Sequence, residues 1–113
     1  MNEFPVARLE GTNSLITLGV VNDALSFRFL IDTSSSNIIL DYSSCLLAGL
    51  QWNAQGEQVL LETANGIIKA DVVEVDKLEC LGIRRTNQDV LMLDFAGRGI
   101  SCNYDGILGL DFF

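Results

Sequence analysis

A chain of 113 residues, 49% hydrophobic and 19% charged, is long enough for one folded domain with a core, residues 1–113, and too short for two. Its formal net charge of −8, with Arg84-Arg85 as the one basic doublet, argues against nucleic-acid binding, which needs clustered Lys and Arg. No apolar run is long enough to span a bilayer, and the chain has no histidine, so any hydrolysis within it must rest on carboxylates and not on a Ser-His-Asp or Cys-His relay.

In chain order, residues 6–10 read as a first strand entered by Pro5, and 11–14 as a turn. Residues 15–21 and 25–31 form a hairpin around Asn22-Asp23, and 37–40 make another short strand. Ser43 or Ser44 is expected to cap a helix through 45–48 that Gly49 ends. Residues 52–56 read as a loop and 58–62 as a strand. Asn65-Gly66, flanked by apolar pairs, has the composition of a type I′ hairpin turn, followed by a return strand through 70–75. Residues 77–83 and 89–93 are expected to pair across a loop at 84–88, which would leave Arg84-Arg85 at a solvated hairpin end, and 96–99 reads as a flexible loop. Short strands separated by turn residues, with no βαβ pattern, imply an all-β barrel or sandwich.

Cys45, Cys80 and Cys102 are odd in number and widely spaced, without a CxxC pair. They indicate neither a zinc site nor a disulfide framework, and read as small buried hydrophobes in a reducing compartment. Asp71, Glu74, Asp76 and Glu79 read as an exposed strand face and not as a cation site. No metal and no cofactor is expected. No basic and apolar leader opens the chain, so a cytoplasmic location is expected, for a protein or for a fragment of a longer one.

The most informative stretch is 29–40, where two apolar runs flank Asp32-Thr33-Ser34-Ser35-Ser36-Asn37. Taken alone, such a cluster is an Asx or ST turn whose side chains cap their own backbone. The order of residues, however, resembles the Asp-Thr-Gly-Ser/Ala turn of aspartic proteases. The segment 104–113, with Ile107-Leu108-Gly109 at its centre, resembles the hydrophobic-hydrophobic-Gly segment of the same enzymes. Between them Thr63-Ala64-Asn65-Gly66-Ile67-Ile68-Lys69 falls where a retroviral-type protease carries its flap hairpin. The three segments stand in family order at about family spacing over residues 15–113, so the chain resembles the retropepsin-like aspartic proteases.

That resemblance implies an all-β, single-lobe closed β-barrel with one or two short helices. It also implies an endopeptidase acting on protein or peptide, with no cofactor and no membrane partner. The Asp-Thr turn occurs once, so a two-lobed enzyme in a single chain is excluded. The second carboxylate would come from a homodimer in which Asp32 meets its own copy. By resemblance Thr33 reaches across to the partner turn, Ser35 steadies the carboxylate, Thr63, Ala64, Asn65, Gly66 and Ile67 form the flap, and Ile107, Leu108 and Gly109 pack behind the Asp32 turn. Ser34 stands where the family usually has Gly, and Ser36 and Leu110 stand where viral members carry an acid–Arg pair. The sequence stops at Phe113, so against that family the usual C-terminal dimer strand is expected to be missing or replaced by other contacts. The alternative is a silent protease-fold module that binds peptides or only dimerises.

Overall fold

A computed structural model describes residues 6–8, 15–23, 25–32, 35–50, 56–63, 66–99 and 104–113. They form the strands β1 Val6–Arg8, β2 Leu15–Val21, β3 Leu25–Ile31, β4 Ile39–Asp41, β5 Gln58–Thr63, β6 Gly66–Cys80, β7 Ile83–Leu93 and β8 Gly106–Leu108. One short helix, α1 Tyr42–Leu47, follows β4, and 3-10 turns occupy Ala96–Arg98 and Leu110–Phe112. The sheet order is β1-β2-β3-β8-β4-β7-β6-β5, and β2 pairs with β6 as well. β1 takes the edge of β2 at Leu15, Ile16 and Thr17, and β6 takes the same edge further along, at Gly19, Val20 and Val21.

The placement of β8 matters most for function. It runs parallel to β3, with Phe29 opposite Gly106 and Ile31 opposite Leu108, and antiparallel to β4, with Ile39 opposite Ile107. Three residues of β8 therefore separate the two strands that bracket the Asp32 turn. The ring of Phe29, fully buried, fills the space over two neighbouring strands: a Cβ on Gly19 or on Gly106 would come within 2.7 Å of it.

Two apolar clusters lie on opposite faces of the strands. The larger includes Val21, Phe27, Phe29, Ile38, Leu40, Val73, Val75, Leu78, Leu108 and Phe112. The smaller consists of Ile39, Ala70, Leu91, Leu93 and Phe95, with Val59, Leu61, Ile68, Val72, Tyr104 and Ile107 packed against it. Leu108 and Ile107 thus divide between the two clusters, as neighbours on a strand must.

Several elements differ from the sequence expectation. The hairpin turn between β6 and β7 is Leu81-Gly82, at φ 54° and 76°, and Cys80 pairs directly with Ile83. Residues 84–88 lie within β7 and form no loop. The return strand does not end at 75: β6 is one strand of fifteen residues. Its core-facing side chains switch phase between Val75 and Leu78, where the ladder skips from Val75–Gln88 to Lys77–Thr86 beside Asn87 at φ 51°. That switch in phase is what resembles a strand boundary in the sequence. The cap of α1 is Asp41, whose carboxylate accepts the Ser44 N–H at 3.4 Å and the Phe95 N–H at 3.0 Å, so Ser43 and Ser44 lie inside the helix. Residues 96–98 form a 3-10 turn and not an open loop. The Asn22-Asp23 turn is present, with both residues at positive φ. Strand residues 9–10, Pro5, the turn at 11–14, residues 52–55 of the expected loop and Cys102 lie outside the described residues.

A polar brace holds the start of β8. Asp105 accepts the Arg28 N–H at 2.8 Å and the Arg28 Nε–H at 3.3 Å, and Ser44 Oγ stands 2.9 Å from its other oxygen. Burial alone would raise the Asp105 carboxyl, but these hydrogen bonds and the Arg28 charge together hold it below its ordinary value. A carboxyl whose folded value is depressed adds stability above the unfolded value, about 3.9 for Asp, and loses it as pH falls through the folded value. Asp105→Asn should therefore lower Tm at pH 7 by roughly 5–10 °C, the equivalent of about 1–2 kcal/mol. The gap between the melting curves should narrow as pH falls below about 4, which thermal melts at fixed protein concentration would measure.

Candidate active site

Asp32 follows the last residue of β3 and is half-buried. Its N–H donates to the Leu108 carbonyl at 3.1 Å, continuing the β3–β8 ladder by one bond. Its own carbonyl accepts the Ser35 N–H at 3.1 Å, closing a turn across Thr33 and Ser34, which themselves lie outside the described residues. Ser35 Oγ donates to the Asn37 carbonyl at 2.9 Å, so in the single chain this hydroxyl is engaged within its own turn.

The far side of the turn is held by the segment after β8. Leu110 N–H donates to Ser35 O at 2.8 Å and Asp111 N–H to Ser36 O at 3.3 Å. Gly109 passes so close to Asn37 that a Cβ would stand 2.4 Å from its carbonyl oxygen and 2.6 Å from its nitrogen. Leu108 seals the core behind. Ile107 does not pack there; it joins the smaller cluster on the opposite face. Leu108 thus lies in the larger cluster and Gly109 against Asn37, while Ile107 packs against the smaller cluster.

The β5–β6 hairpin pairs from Gln58–Asp71 to Thr63–Gly66. Gly66 is thus the first residue of β6, at φ 119°, and the two connecting residues are Ala64 and Asn65, one position earlier than the expected Asn65-Gly66. Ala64 and Asn65 lie outside the described residues, as does the side chain of Thr63. Val59, Leu61, Ile68 and Val72 turn one face of the hairpin toward the smaller cluster, whereas Leu60 and Ile67 are exposed on the other.

Tyr104, which carried no role in the sequence reading beyond its place in a motif, connects these parts. Its ring meets Phe95 edge-on at 5.9 Å and packs with Ile107 in the smaller cluster. Burial raises its phenol above the ordinary value, and the charge of Asp32 raises it further. Cys45 and Cys80 are no candidates for nucleophiles. Burial pushes the Cys45 thiol up to about 12, with the Asp41 charge adding to it, and pushes Cys80 up to about 11; both stay protonated at neutral pH.

The acidic strand residues make partners and not a cluster: Asp71 accepts from Gln58 Nε2 at 2.7 Å, and Glu79 pairs with Arg84 across the ladder. Among the described residues no group of three or more potential ligands could hold a metal ion. No helix there is long and apolar enough to cross a membrane. Arg85, expected in solvent, instead points inward and donates to the Phe112 carbonyl at 2.7 and 2.9 Å.

An Asp turn at the end of a β-strand, with a glycine-containing strand segment braced against its back, is the architecture of acid proteases. The family model "aspartyl protease" matches residues 17–112. The chain belongs to that family. Its fold is similar to the crystal structure of a retropepsin-like aspartic protease from Rickettsia conorii, with TM-score 0.68, 19% identity, and coverage of 97% of this chain and 82% of that one. It is also similar to the retroviral protease-like domain of Ddi1 from Leishmania major, with TM-score 0.53, 13% identity, and coverage of 87% and 73%. No curated protein matches the chain by sequence. The fold is mostly β with few helices, as in the retropepsin-like proteases.

Proposed function

We propose that the protein is a homodimeric aspartic endopeptidase in which Asp32 and its copy on a second chain activate water for peptide hydrolysis, each chain forming a closed single-lobe barrel. The observation that carries this reading is the lone Asp-Thr turn, clamped at the end of β3 by the segment after β8. One carboxylate cannot be base and acid together, and in this reading the second is Asp32 of another copy. Two carboxylates about 3 Å apart cannot both ionise and so share one proton. The ionised partner takes a proton from water, whose oxygen attacks the peptide carbonyl carbon, while the protonated partner gives its proton to the carbonyl oxygen. Collapse of the tetrahedral intermediate, with proton transfer to the departing nitrogen, then breaks the C–N bond.

The flap in this reading is the β5–β6 hairpin, whose last pair is Thr63–Gly66, with Thr63, Ala64, Asn65, Gly66 and Ile67 at its end. Its backbone would bind an extended peptide as an added strand and exclude water from the site. Thr33 would brace the partner turn. Activity should be best in mildly acidic solution, where the shared proton is kept and repulsion between two chains of net charge −8 is reduced.

Subunit mixing tests the shared site. Wild-type chains equilibrated with an equal amount of Asp32→Asn chains should lose about half their activity, because about half then pair with an inactive partner. Unchanged activity per wild-type chain, with exchange verified by mass-tagged subunits, would mean that no second Asp32 takes part. The other reading, a binding or dimerisation module without turnover, is favoured by Ser34 in the usual place of Gly, since serine adds a Cβ and a hydroxyl that glycine lacks. It would be recognised by extended-peptide binding to wild-type dimer with no cleavage at any pH.

A further inference from the structure

We infer that Arg85 is a positioning residue for the Asp32 turn, acting through the 3-10 turn Leu110–Phe112; the inference rests on the protease reading above. Arg85 stands opposite Leu78 in the β6–β7 ladder, and Leu78 is buried in the larger cluster, so the Arg85 side chain leaves the same, inward face of the hairpin. Its guanidinium Nε and Nη2 donate to the Phe112 carbonyl at 2.9 and 2.7 Å, and Nη2 reaches the Phe113 carbonyl at 3.3 Å. It also lies 5.9 Å from the centre of the Phe112 ring, which is fully buried.

The same 3-10 turn is attached at its other end to the site. Leu110 and Asp111 donate their N–H groups to Ser35 and Ser36, the two residues that complete the turn begun at Asp32. A three-residue 3-10 turn, with Phe112 N–H to Gly109 O and Phe113 N–H to Leu110 O as its backbone bonds and the Asp111 carboxylate taking backbone N–H groups of the turn and of Ile38, has little stability of its own. Its position is set from outside: by the site turn at the front and by Arg85 behind. The guanidinium is suited to this because its planar fork gives two charge-assisted bonds to one carbonyl in a fixed direction, whereas a lysine ammonium supplies charge without the fork. Remove the fork, and the Phe112 carbonyl loses its donor inside the protein. The 3-10 turn can then shift, carrying the acceptors of the Asp32 turn with it. Arg85 acts through its bonds to the 3-10 turn; it fixes how far the carboxylate can wander from the position that pairs with its copy.

Arg85→Met and Arg85→Lys separate this role from simple core packing. Amide exchange of Leu110 and Asp111 should quicken about tenfold in Arg85→Met relative to Val73 and Val90, which lie in the β6–β7 ladder and report global opening. On a fixed peptide, kcat should fall about tenfold with KM within about twofold, since alignment and not substrate affinity is lost. Arg85→Lys should recover part of both effects. Exchange at Leu110 and Asp111 that rises only in step with Val73 and Val90 would overturn the inference, as would faster exchange with kcat unchanged. Should Arg85→Met not fold, Arg85→Lys decides on the same two measurements. If the wild-type protein cleaves nothing, the exchange comparison alone decides the role of Arg85, and the failure belongs to the protease assignment.

Discussion

Asp32→Asn should lower peptide turnover by at least about three orders of magnitude, the upper part of what a positioned acid or base contributes. The neutral amide nearly matches the carboxylate in shape, yet it can neither accept the proton from water nor share one with its copy. The fold should be little affected. Two backbone bonds of this residue, its N–H to Leu108 O and its carbonyl to Ser35 N–H, are kept by the substitution. Fluorogenic-peptide assays should therefore show loss of turnover while sedimentation and melting curves stay close to wild type. A second signature needs no substrate. Removing the Asp32 charge should lower the pKa of Tyr104, because that charge is one of the two causes that raise it, while the contribution of burial remains. Ultraviolet titration in a Tyr42→Phe background would isolate the Tyr104 phenol. Turnover retained by Asp32→Asn would remove this residue from the mechanism. An unmoved Tyr104 titration would instead place the two side chains apart and leave catalysis a separate question.

The parts of this fold that could be read from sequence are those whose cause is local. The Asn22-Asp23 hairpin has turn residues that tolerate positive φ, and the apolar run before Asp32 shows where β3 ends, while β4 starts at Ile39, two residues after the expected 37. The family followed from three short motifs in order. What was misread has non-local causes. Leu81 adopts φ 54° in the β6–β7 turn, a conformation for which leucine gives no signal, so the turn was sought at the polar residues 84–88. Arg85, in an exposed-looking doublet, turns inward because its partner is the carbonyl of Phe112, twenty-seven residues on. Asp41 caps α1 from the final position of a strand, a place where two neighbouring serines looked better suited. Tyr104 stands in a motif, but the effect of the Asp32 charge on it depends on β8 lying between β3 and β4, which no single segment encodes. The site is therefore legible where a residue type is required and illegible where only the pairing of distant strands brings residues together.

Gly109→Ala should be the most disruptive glycine-to-alanine change among the described residues. The backbone of Gly109, at φ −97° and ψ −174°, is open to any residue, so conformational strain plays no part. The cost lies in contact. An alanine Cβ would stand 2.4, 2.6 and 2.7 Å from the carbonyl oxygen, nitrogen and carbonyl carbon of Asn37, all main-chain atoms that no rotamer change can move. Relief requires the strand segment and the site turn to separate, which stretches Leu110 N–H to Ser35 O and Asp111 N–H to Ser36 O together. Overpacking of this kind costs about 3 kcal/mol, or a fall in Tm of roughly 12–20 °C for a chain of this size. Gly97→Ala is the matched control, since its Cβ would meet only the carboxylate end of Asp94, which can rotate away; its Tm should move by no more than a few degrees. The decisive comparison is made on the fraction of Gly109→Ala that remains folded at low temperature. Because the displaced neighbour is the turn that carries Asp32, kcat per folded dimer should drop at least about tenfold. Full activity per folded molecule would mean that the close approach of Gly109 to Asn37 serves the core alone, and that the turn holds Asp32 in place without support from behind.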